Sequence, residues 1–127
     1  MNLSEYFENT EGMGVLSTAN SDGSVDVAIY ATPHVTDAST VAFIMRPRQS
    51  YRNLQSNPKA AYLFVEKGPG YQGKRLYLEK TGEEADQEKV NLLRRSSHGT
   101  KSDEAEAKLV YFKVVGVRPL VGDSEER

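Results

Sequence analysis

Cysteine is absent from the 127 residues, and with it go disulfides, thiolate zinc sites, iron–sulfur ligation and cysteine nucleophiles. Histidine is scarce. His34 and His98 are the only two, and neither sits in a metal-ligand pattern. No serine lies in a G-x-S-x-G elbow, so a hydrolase triad has no support. No apolar run approaches the ~20 residues of a membrane-spanning helix. The opening MNLSEYFENT has no basic n-region and no apolar h-region, so a cytoplasmic location is expected. A dominant charge is lacking too: the net charge of −2 gives no global basic field to attract nucleic acid. Internal repeats and low-complexity linkers are absent. One domain spanning 1–127 is expected, with an N-terminal helix in 1–12 and a frayed tail at 122–127.

What is present is unevenly placed. Lys and Arg gather at 46–52, 74–75 and 94–95, and acids at 83–88, 103–106 and 123–126. The periodicities predict a short helix from Ser4 to Glu11, capped by Ser4 and ended at Gly12. A strand (14–20), a turn with Asp22-Gly23 at its tip and a returning strand (25–35) follow, with Pro33 marking an exit from regular pairing. TVAFIMR (40–46) has no polar residue between Val41 and Met45, which predicts burial on both faces. One or two helical turns are expected over Arg48 to Ser56, stopped by Asn57-Pro58. Strands are predicted at 59–66 and 75–84, a helix from Asp86 to His98 closed by Gly99, and a final long strand over 108–122 with a bend at Gly116. Short antiparallel strands with inserted helices predict a mainly β protein, a small barrel with appended helices and six or so strands. Exposed tyrosines and long apolar strands predict a homodimer.

Three stretches could carry chemistry. In RPRQSYRNLQSNP (46–58), Arg46, Arg48, Gln49, Ser50 and Arg52 surround the start of a short helix. Free helix N–H groups and guanidinium forks suit a phosphate; a solvated basic turn is the plainer alternative. The loop GPGYQGKR (68–75) combines three glycines with Tyr71, Gln72, Lys74 and Arg75 and could close over a flat ring, or be an ordinary hairpin loop. At YATPH (30–34), hydroxyl and backbone donors of Tyr30 and Thr32 could meet the polar edge of a heterocycle, or merely end a strand. The carboxylates of 83–88 serve a helix start. No catalytic residue and no metal ligand is assigned.

The order of these pieces resembles the flavin-binding split barrel of the pyridoxamine 5′-phosphate oxidase-like family over roughly residues 12 to 120. NLQSNPKAAYLF carries the most specific likeness, to a helix-to-strand junction of the type N-L-x-x-N-P, and GPGYQGKRLYL resembles a loop of small FMN-binding members. The resemblance implies FMN bound at a homodimer interface. Its phosphate would lie on Arg48, Gln49 and Ser50, with Met45 and Arg46 at the strand end beside the flavin. Tyr30, Ala31 and Thr32 would face the ring, and the second protomer would supply Tyr71 and Gln72, with Arg75 nearby. An oxidoreductase or electron-transfer role follows, with a small-molecule or protein redox partner. VDVAIYATP lacks the basic R-x-x-L-x-K run of authentic pyridoxamine phosphate oxidases, and Ser50 stands where they carry lysine, so that oxidation is not expected. The alternatives are haem, with His34 or His98 as axial ligand, a deazaflavin, or a nucleic-acid-binding barrel built on tyrosines among basic residues.

Overall fold

The computed structural model describes residues 2–96 and 107–122. They form α1 (Leu3–Glu8), β1 (Gly12–Ala19), β2 (Val25–Ile29), β3 (His34–Asp37), β4 (Thr40–Met45), α2 (Gln49–Ser56), β5 (Lys59–Glu66), β6 (Gly73–Glu84), α3 (Gln87–Ser96) and β7 (Lys108–Pro119). All strand pairs are antiparallel in one sheet of order β2-β1-β5-β6-β7-β4-β3.

The sheet rolls until β4 meets β5 across an apolar interior, where the Phe43 and Tyr62 rings lie 5.1 Å apart. Period-2 alternation sends Leu16, Tyr62, Phe64, Leu76, Leu78, Val110 and Phe112 into that core. Each such side chain contributes about 1.5–3 kcal/mol by leaving water. β4 is buried on both faces, as its unbroken apolar run predicts. Val41, Phe43 and Met45 enter the barrel, while Ala42 packs outward with Val90 of α3 and Leu109.

Several expectations are corrected in detail. The first helix starts one residue earlier and is capped by Asn2, whose side chain accepts from Glu5 N–H at 3.0 Å; it ends at Glu8, and Gly12 opens β1. The returning strand stops at Ile29, and 34–37 form a separate strand paired with β4. Pro33 and the inward turn of 30–31 break the run between them. The seven strands among the described residues agree with the six or so expected. The bend near Gly116 is a register shift opposite Tyr77 and Leu78. The predicted end of the third helix at His98 and Gly99 and the tail beyond Gly122 lie outside the described residues.

Candidate functional site

Helix α2 closes one end of the barrel. Its apolar residue Leu54 is buried, and so are Ser50 and Asn53. Two polar ties fix its pose. Asn53 Nδ2 donates to Thr18 Oγ1 of β1 at 3.0 Å, both side chains being buried. On the far side, Glu83 of β6 accepts from Tyr51 Oη at 2.5 Å and from Gln55 Nε2 at 3.4 Å. Lys80 pairs with the same carboxylate at 2.7 Å, and Lys108 lies 3.9 Å from it. Burial works to raise the Glu83 carboxyl, but its hydrogen bonds from Lys80, Tyr51 and Gln55 outweigh this and hold it below the ordinary value.

The N-terminus of α2 carries no side-chain cap and no acidic residue in its first turn. Its first amides therefore lack intrahelical partners and carry the positive end of the dipole. Arg48 is the N-cap residue. Its N–H turns back to Arg46 C=O at 2.7 Å, folding the two arginines into one tight turn. Arg52 braces that turn by donating to Pro47 C=O at 3.1 Å and to Gln49 Oε1 at 3.3 Å. Gln49 in turn donates to Asn53 Oδ1 at 2.8 Å, so its side chain lies along the helix.

Tyr30 joins this group from the opposite direction. Its phenol faces Ser50, with Arg48, Arg46 and Asp26 close enough to act on it. Burial pushes the phenol above its usual value and Asp26 adds to this, while Ser50 and the two arginines oppose. The Tyr30 ring stands edge-on to Phe43 at 5.8 Å. Below it, the Tyr62 phenol reaches the carbonyls of Tyr30 and Ala31, each at 3.1 Å. Gly14 C=O accepts from Tyr30 N–H at 3.0 Å.

Of the residues singled out in the sequence, Tyr30, Arg46, Arg48 and Ser50 are thus brought together. Ala31 is exposed and Thr32 half-buried beside them, while Met45 is fully buried in the core. Arg75 Nε donates to Pro119 C=O at 2.9 Å, and its guanidinium also bonds Gly122 C=O, so it ties down the end of β7. Tyr71 and Gln72 stand on the β5–β6 loop, where Gly68 and Gly70 adopt positive φ and Tyr71 is 82% exposed. That loop lies at the opposite end of β6 from Glu83, away from the arginines of the same chain. His34 is half-buried, and burial lowers its imidazole value; His98 lies outside the described residues. No group of three or more metal-ligating side chains occurs among the described residues. No helix among them is long and apolar enough to cross a membrane.

Thr18, Asn53, Tyr62, Gly14 and Glu83 were not legible as site residues. A buried threonine on an alternating strand and a glycine facing a tyrosine four strands later in the sequence give no local signal.

An outer face completes the picture. Val25, Val27 and Ile29 of β2 are 78%, 67% and 71% exposed, and Met13 is 57% exposed. The pairings Val15↔Ile29, Val15↔Leu63 and Met13↔Val65 extend this apolar strip across β1 to β5. It runs directly into Tyr30 and Ala31.

No family model matches the chain, and no curated protein does. Solved structures do. An FMN-binding protein from Syntrophomonas wolfei superposes with a TM-score of 0.77 at 18% identity, over 95% of this chain and 85% of that one. An F420 reductase gives 0.72 at 20% identity, over 90% and 94%. A candidate pyridoxamine 5′-phosphate oxidase from Lactobacillus delbrueckii gives 0.67 at 18% identity, over 91% and 88%.

Proposed function

From the premise that this chain has the split-barrel fold of FMN-binding and pyridoxamine 5′-phosphate oxidase-like proteins, we propose that it is a homodimeric FMN-binding flavoprotein serving electron transfer or a small oxidoreductase reaction. The observation that carries this reading is the meeting of Arg46, Arg48, Ser50 and Tyr30 at the uncapped start of α2. Guanidinium forks and free helix amides are the donor set that a terminal phosphomonoester needs.

The residues fit the cofactor by parts. Arg46, Arg48 and the first amides of α2 would hold the phosphate, and Tyr30 and Ser50 would bound it. Ala31 and Thr32 would meet the ring edge. A second copy packed on the Val25–Val27–Ile29 strip would wall the site, because that strip is continuous with Tyr30 and Ala31. It would bring its own Tyr71 and Gln72, which a single chain holds at the far end of β6. The isoalloxazine supplies the electron chemistry when bound; the chain binds it, orients it and excludes water. No side chain is needed as general acid or base.

Tight FMN binding with a perturbed flavin absorption spectrum supports this function. No binding on titration of purified protein contradicts it. The F420 reductase neighbour makes a deazaflavin the informative competitor, and preferential binding of F420 in the same titration would replace FMN with that ring.

A further inference from the structure

The segment between β2 and β3 belongs to no ladder, yet its backbone is held. Tyr62 Oη lies 3.1 Å from both Tyr30 C=O and Ala31 C=O. The Tyr62 side chain is fully buried. Its ring is wedged against Phe43 at 5.1 Å and Phe7 at 6.4 Å. Gly14 exists to admit it: a Cβ there would lie 1.8 Å from Tyr62 Oη.

A trans peptide points its C=O and N–H in opposite directions, and the chain contains no cis peptide. Drawing the carbonyls of 30 and 31 inward therefore turns the Ala31 and Thr32 N–H groups outward, on the side where Ala31 is exposed. Among the described residues neither N–H has a backbone partner. Two successive unpaired amides so arranged form a donor pair for an acceptor-rich edge.

We propose that Tyr62 is a positioning residue: its buried phenol fixes the Ala31 and Thr32 amides as a donor pair aimed at the acceptor edge of the bound ring, with Gly14 as the space that lets it do so. The ring as occupant rests on the function proposed above; the amide geometry does not. Two hydrogen bonds from these amides would strengthen as negative charge builds on the ring, so they would raise its reduction potential as well as its affinity.

The test is Tyr62→Phe, which keeps the ring and the core packing and removes one hydroxyl. Tyr6→Phe is the control, since its phenol bonds Glu66 at 2.6 Å, away from this segment. In ligand-free protein, the Ala31 and Thr32 amide NMR resonances should shift and broaden in Tyr62→Phe and stay in place in Tyr6→Phe. With FMN, Tyr62→Phe should bind about tenfold more weakly, lose the same factor with riboflavin, and show a more negative flavin midpoint potential. Unmoved amide resonances would overturn the positioning role whether or not any flavin binds. Moved resonances with unchanged FMN affinity and potential would overturn the aim at the ring. Failure of the unaltered protein to bind FMN would instead strike the proposed function and leave the amide result to decide the rest.

Discussion

At the residue scale, Tyr30 and Gly14 show how little of this site is set by charge alone. Tyr30 is held at its backbone by Gly14 and Tyr62, and its hydroxyl lies near Ser50 and Arg48. Tyr30→Phe should leave the barrel intact and lower FMN affinity about three- to tenfold, the usual worth of one hydrogen bond to a partly buried group; isothermal titration checks it. Gly14→Ala is a harsher change. Its Cβ would stand 1.8 Å from Tyr62 Oη and 2.7 Å from Tyr30 O, both in a packed interior. A loss of about 1–3 kcal/mol in denaturant unfolding is expected from such overpacking, together with weakened FMN binding. A fully stable Gly14→Ala protein would mean that the phenol can move aside without cost.

At the scale of elements, α2 is placed by two unlike ties, Asn53–Thr18 on one side and Tyr51–Glu83 on the other. Glu83 gives its tie a pH dependence. Its folded carboxyl value lies below the ordinary 4.5, so the ionised form stabilises the fold above that range, and the contribution is lost as pH falls through the folded value. Glu83→Gln should therefore flatten the acid limb of the stability profile while changing neutral stability modestly, as followed by thermal unfolding from pH 7 to pH 3. An unchanged acid limb would show that Glu83 is not what fixes the helix. Much of the element plan was legible in the sequence. Asn57-Pro58 did end α2, and the apolar run of β4 did mean two buried faces. The short β3 was not legible, because it follows a proline and pairs through only a few residues. Nor could the cap of α1 be read, since Asn2 and Ser4 are equally good candidates and only the packing of Leu3 and Phe7 chooses between them. Arg46, Arg48 and Ser50 were legible as a group because they are neighbours in sequence. Arg75 has a structural part that its sequence position does not reveal: its guanidinium donates to the carbonyls of Pro119 and Gly122.

For the whole molecule, the exposed face of β2 and the remote β5–β6 loop are the two parts that the proposed homodimer would use. Three large apolar side chains stand in water on an edge strand, an arrangement that marks an interaction surface, and a second copy would both cover them and deliver Tyr71 to the site. Replacing Val27 and Ile29 by glutamate should cost little stability in one chain, since both are exposed, but should place like charges across the proposed interface. The double variant should elute as a monomer in light-scattering chromatography and bind FMN at least tenfold more weakly. A monomer that binds FMN tightly at every concentration would contradict the shared site.

If the start of α2 grips a terminal phosphate, FMN and riboflavin, which differ only in that group, must bind with different affinities. FMN should bind at least about a hundredfold tighter in a titration, and Arg48→Ala should remove most of the difference without changing riboflavin affinity. Equal affinities for the two flavins, or a phosphate preference untouched by Arg48→Ala, would contradict that grip.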